Sequence, residues 1–74
     1  MAIIEHLDGA HAALAITDKF VFNDSVEFRK KLFGLFEGNI RSLSINLQEL
    51  SFMDSSGLGM LMVAQNECQS RNIS

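Results

Sequence analysis

Hydrophobic residues follow two different spacings along this chain, and the changes of spacing mark its elements. Ile3–Leu7 and Ala12–Thr17 are short β-compatible runs joined through Asp8-Gly9. Aspartate and glycine accept the positive φ of a tight primed turn, so this segment predicts a β-hairpin. Ala12–Ala15 taken alone could also pass for a helix. Thr17-Asp18-Lys19 predicts a polar turn before Phe20, Val21 and Phe22. The spacing then changes to helical. Phe28, Leu32, Leu35 and Phe36 fall at i, i+4, i+7 and i+8, with Phe33 widening the stripe. Asp24-Ser25-Val26-Glu27 has the form of a capping box at its start, and Gly38-Asn39 ends it by tolerating left-handed geometry. Ile40-Arg41 leads into Ser42–Leu47, where Leu43, Ile45 and Leu47 alternate with Ser42, Ser44 and Asn46 as in a strand. Leu58–Ala64 is nearly all apolar and predicts the buried first half of a helix, which turns polar from Gln65 to Arg71. The order strand, strand, helix, strand, helix predicts an α/β domain.

The third strand, Ser42–Leu47, hands over to the second helix through Asp54-Ser55-Ser56-Gly57-Leu58-Gly59. Asp54, Ser55 and Ser56 all carry oxygens suited to the unpaired N–H groups of a helix start. One reading is a capped helix in which Gly57 and Gly59 allow close packing. The other is that a serine hydroxyl is displayed at the positive end of the helix dipole for phosphorylation, which adds about −1.5 to −2 charge and three acceptors. Local chemistry leaves both open. Asp54, immediately before Ser55, either orients a hydroxyl or contacts a partner, or caps the helix.

The 74 residues make at most one small domain, residues 1–74, near the lower limit for a self-sufficient core. Nine acidic residues against six basic ones give a net charge of −3, which argues against a duplex nucleic-acid binder. Three of the six basic residues, Arg29, Lys30 and Lys31, are consecutive and read as a solvated helix face. The one cysteine, Cys68, reads as a buried thiol. His6 and His11 flank the hairpin without a cysteine or carboxylate at a recurring ligand spacing, so neither a metal nor any other cofactor is expected. No signal-peptide pattern or membrane-spanning run is present, and the cytoplasm is the expected compartment.

Catalytic patterns are also missing. A nucleophile elbow requires Gly-x-Ser-x-Gly, but Met53 and Asp54 stand two positions before Ser55 and Ser56. No lysine follows Gly57 or Gly59 as a P-loop requires, and Gly57-Leu58-Gly59 is half of a dinucleotide fingerprint. The chain is not expected to be an enzyme.

Leu47-Gln48-Glu49-Leu50-Ser51-Phe52-Met53-Asp54-Ser55-Ser56-Gly57-Leu58-Gly59 resembles the signature of the STAS domain family, specifically the bacterial anti-sigma factor antagonists. Phe20-Val21-Phe22-Asn23-Asp24 followed by Glu27-Phe28-Arg29 resembles the strand-to-helix passage of the same family. The resemblance implies a mixed sheet packed by helices, of which this chain carries the N-terminal β-β-α-β-α portion. It implies that Ser55 is the phosphoacceptor of a serine kinase that is also the anti-sigma factor. It places Asp54, Ser55, Ser56, Gly57 and Leu58 at the partner contact. The alternative is a STAS scaffold or accessory subunit of a larger transport or sensory complex, without switching. Typical members continue with a further strand–helix–strand–helix portion, and Ile73 would open its first strand. The domain is therefore expected to be incomplete at its C-terminal end, and the isolated chain is expected to self-associate, to exchange elements between copies or to be partly molten.

Overall fold

The computed structural model describes Met1–Ser74. Its elements are β1 (Ala2–Asp8), β2 (His11–Phe20), a 3-10 turn (Phe22–Asp24), α1 (Ser25–Glu37), β3 (Ser42–Asn46), β4 (Leu50–Met53) and α2 (Ser55–Ser70). The four strands form a mixed sheet packed by two helices. β1 pairs antiparallel with β2, from Ala2 opposite Thr17 to Asp8 opposite His11. Gly9, at φ 62, makes the turn, as Asp8-Gly9 predicts. β3 and β4 both run parallel to β2, β3 beside His11–Ala15 and β4 beside Asp18–Phe20.

Three local expectations are corrected. Thr17-Asp18-Lys19 is not a turn. β2 continues through it to Phe20, with Asp18 at φ 69 in a register shift between Asp18 and Lys19. The bulge is held by Asp18 N–H donating to the Glu49 carbonyl and by Ser51 Oγ donating to the Asp18 carbonyl. Second, the stretch after β3 contains a strand of its own, Leu50–Met53, so the element order has one strand more than the sequence reading. Third, Asp24 does not build the capping box with Glu27. It adopts helical φ and ψ with no side-chain cap, and its Oδ2 instead accepts from Val21 N–H at 2.9 Å. The 3-10 turn thus takes the place of a conventional helix start.

Alternation sets the core. Ala12, Leu14 and Ile16 point from β2 to the helical side and are fully buried with Phe20, Phe28 and Leu32; Leu35, Phe36, Ile40 and Ala64 complete the cluster. The predicted α1 stripe is thus the core face, each fully buried large side chain contributing about 1.5–3 kcal/mol. Phe20 and Phe28 rings meet at 5.0 Å. At the far end of the helices, the Arg71 guanidinium lies 4.5 Å from the Phe36 ring centroid and 3.6 Å from the Glu67 carboxylate, tying α2 to α1.

α2 is buried less than its composition predicts. Only Gly57 and Ala64 are buried; Leu58 and Met62 are exposed and Met60, Leu61 and Val63 half-buried. An open groove of about 440 Å³ separates α2 from β3, lined chiefly by Leu43, Ile45, Leu47, Leu61, Ala64 and Cys68. α2 ends in a Schellman geometry, with Asn72 at φ 59 and Ile73 N–H donating to the Cys68 carbonyl at 2.8 Å. Ser74 then pairs beside β3, donating to the Arg41 carbonyl and accepting from Leu43 N–H. That is a parallel bridge at the position where the sequence reading opens a new strand.

Candidate functional site

The parallel strands β2 and β4 end together at Phe20 and Met53, and the chain leaves both into helical turns. Asp54 has extended φ and ψ and N-caps α2. Its Oδ1 accepts from Gly57 N–H at 3.0 Å and its Oδ2 from Phe22 N–H at 3.2 Å. One carboxylate therefore caps the second helix and also holds the turn that leads into the first. Asp54 N–H donates to the Phe20 carbonyl at 3.3 Å, closing the joint from the strand side.

Gly57 explains how closely the parts meet. A Cβ on it would lie 2.4 Å from the Phe20 carbonyl oxygen and 2.7 Å from Met53 Cγ, so only glycine lets α2 start against the end of β2. Gly59 has no such role, since nothing lies within 4 Å of an added Cβ; the close-packing reading holds for one glycine of the two.

Ser55 is exposed at the first helical position and Ser56, one residue on, is half-buried. Ser55, Leu58 and Met62 share one helical face at i, i+3 and i+7, so a line of exposed apolar side chains runs from the Ser55 hydroxyl along α2. Phe22, 71% exposed, stands in the turn that Asp54 holds. The structure thus gathers Asp54, Ser55, Ser56, Gly57 and Leu58 at one corner, and adds Phe22 and Met62, which sequence reasoning missed. Nothing singled those two out: Phe22 falls within Phe20–Asp24, which resembles the family's strand-to-helix passage, and Met62 within Leu58–Ala64, which reads as core.

The other titratable candidates stand apart. His11 hydrogen-bonds Ser42 and Ser44 of β3, Nε2 to Ser44 Oγ at 3.0 Å, on the sheet face away from the helices. His6 pairs with Ala13, so the two histidines do not face each other in register. Cys68 lines the groove beside β3; burial pushes its thiol above the ordinary value, with Glu67 adding to the rise and Arg71 opposing it. No helix is long and apolar enough to cross a membrane.

Comparison with known proteins agrees with this geometry. The STAS domain model matches residues 2–74. Two solved structures of SpoIIAA superpose on the chain: the anti-sigma factor antagonist in its unphosphorylated form (TM-score 0.79, 22% identity, 95% of this chain) and the Bacillus cell fate determinant in its phosphorylated form (TM-score 0.80, 22% identity, 95% of this chain). The chain spans about two thirds of the length of those proteins, 66% and 65%. A crystal structure of Mglu also matches, at TM-score 0.83 and 17% identity, over 95% of this chain and 17% of that one. At these identities the solved structures establish the fold, and the match along almost the whole sequence establishes the family: the chain belongs to the STAS domain family.

Proposed function

We propose that this chain is an anti-sigma factor antagonist, a cytoplasmic binding module without catalysis of its own that docks an anti-sigma factor when Ser55 is unphosphorylated. The observation that carries this reading is the position of Ser55. It is exposed, directly follows an aspartate whose two oxygens are both occupied by backbone amides, and heads an exposed apolar line through Leu58 and Met62.

The partner is the kinase. The Ser55 hydroxyl oxygen attacks the γ-phosphorus of ATP, the bond to the leaving ADP oxygen breaks, and the hydroxyl proton passes to a base of the partner. Asp54 is held by Gly57 and Phe22 N–H, so its role is to fix the first turn that presents Ser55. The phosphate then places a dianion beside the Asp54 carboxylate, at the head of the apolar contact. Like charge and bulk in a buried interface cost about 2–5 kcal/mol, roughly 30- to several-thousand-fold in affinity.

A second reading is a STAS scaffold within a larger protein. It draws on the match to Mglu, of which this fold occupies 17%. Incubation with ATP and the anti-sigma kinase, followed by mass spectrometry, separates the two. One phosphate on the parent chain and none on Ser55→Ala is the expected result. Label retained by Ser55→Ala but lost by Ser56→Ala moves the acceptor by one residue, and no label on the parent chain favours the scaffold.

A further inference from the structure

At the other end of β2 from Ser55 lies a second groove, of about 350 Å³, between β1 and the later turns of α1. Leu7 and Gly9 form one wall, Lys30, Lys31 and Gly34 the other, with Leu35 on the floor. Three features of this groove have no role in the fold. β1 is an edge strand that pairs only with β2. It is seven residues long and carries no lysine or proline; of the devices that guard an edge it has only the charges of Glu5 and Asp8. Gly34 sits in the interior of α1, where glycine costs about 1 kcal/mol relative to alanine, although nothing lies within 4 Å of an added Cβ. Lys30 and Lys31 are exposed and form no ion pair, although the chain as a whole is acidic.

An open strand edge offers backbone donors and acceptors to an extended chain. A glycine on the facing helix leaves room for that chain's side chains, and the two lysines supply charge for carboxylates. We infer that the groove between β1 and α1 is a docking site for an extended, acidic segment of a partner protein, which adds to the edge of β1 and sets its carboxylates against Lys30 and Lys31. Glu5 also lines the groove, so the occupant is neutral or basic where it meets that residue. The same glutamate argues against a second copy of this chain. Antiparallel pairing of two β1 strands over Ala2–Asp8 would centre on Glu5 and set it opposite Glu5 of the other copy, a destabilising like-charge pair. The site is remote from Ser55 and leaves the Leu58–Met62 face free, so both surfaces can be engaged together.

The probe is a blocked octapeptide, Val-Thr-Val-Thr-Val-Glu-Val-Glu, acidic at one end and neutral where it meets Glu5, titrated into the isotope-labelled chain and followed by amide chemical shifts. Saturable shifts confined to β1 and to Lys30–Gly38 are expected, with a dissociation constant of about 1 mM or below. The exposed double variant Lys30→Glu/Lys31→Glu should weaken binding about tenfold or more, and Gly34→Leu, which fills the groove, should also weaken it. If Gly34→Leu fails to fold, the charge variant decides alone. The inference is overturned if no saturable shifts occur, if they fall elsewhere, if the charge variant binds as the parent does, or if the same peptide with lysine in place of both glutamates binds equally well. Concentration-dependent dimerisation through β1 would overturn it in favour of a second copy.

Discussion

Replacing Gly57 by alanine sets two effects of opposite sign against each other. Intrinsic helix propensity favours alanine over glycine by about 1 kcal/mol in a helix interior. At Gly57 the new methyl would meet the Phe20 carbonyl oxygen at 2.4 Å, Met53 Cγ at 2.7 Å and Phe20 Cγ at 3.1 Å. The Met53 side chain can turn away, but the carbonyl belongs to β2 and already accepts from Asp54 N–H. The first turn of α2 must therefore lift. Overpacking of this kind costs about 1–3 kcal/mol, and lifting the turn stretches the bond from Gly57 N–H to Asp54, adding about 1 kcal/mol for a weakened cap. Steric cost exceeds propensity, leaving a net loss of about 1–3 kcal/mol, or a fall in Tm of about 4–8 °C for each kcal/mol in a domain of this size. Gly34→Ala and Gly59→Ala supply the controls, because an added Cβ meets nothing within 4 Å at either position. Both should melt at or above the parent temperature. Thermal melts of the three variants test the reasoning, and a Gly57→Ala chain that melts at or above the parent temperature refutes it.

Asp54→Asn should lower Tm as well, because the amide supplies one acceptor where both Gly57 and Phe22 N–H donate; the loss is about 1–2 kcal/mol, and an unchanged melt would show that these bonds do not hold the joint. Cys68 should react with iodoacetamide at pH 8 more slowly than free cysteine, since burial raises its pKa in the folded chain. The stabilisation linked to that shift is fully present below the ordinary thiol pKa and is lost as pH rises through the raised value, so Tm should fall more steeply in alkali for the parent than for Cys68→Ser. The isolated chain should self-associate through the groove between β3 and α2, and Leu61→Glu should return it to monomer in sedimentation; a parent chain that is monomeric at every concentration and melts sharply contradicts this.

The helical stripe of α1 was legible because its burial depends on neighbours a few residues away. Phe28, Leu32, Leu35 and Phe36 face the core as their spacing predicts. The Asp8-Gly9 hairpin was legible for the same reason. What the sequence hid depends on distant partners. Thr17-Asp18-Lys19 has the composition of a turn, but β4 pairs with it and keeps it in the strand as a bulge. Asp24-x-x-Glu27 has the pattern of a capping box, but the 3-10 turn before it claims the Asp24 carboxylate. Leu58–Ala64 reads as core from composition, yet burial of that face needs neighbours that β3 and the two helices do not supply. At the candidate site, the Asp-Ser-Ser-Gly motif marked the passage from strand to helix, while the bond from Phe22 N–H to Asp54, spanning more than thirty residues, has no sequence signal.

That long-range bond changes what a modification at Ser55 can do. In an ordinary helix start the capping side chain satisfies only its own helix, and a phosphate on the next residue shares the positive end of the dipole with it. Here the Asp54 carboxylate is divided between two segments, Oδ1 on α2 and Oδ2 on the turn that carries Phe22. A phosphate on Ser55 would compete for the amides of the first turn of α2 and repel the carboxylate that already occupies one of them. The bond at 3.0 Å to Gly57 is the shorter of the two and lies within the first turn of α2, which packs closely against the Phe20 carbonyl. The longer bond, 3.2 Å to the exposed Phe22, is the one free to yield. On the proposed function, the charge would act on the partner directly at Ser55, and indirectly by loosening the aromatic side chain beside it, so that apolar contact and electrostatic repulsion would change together at a single modified residue.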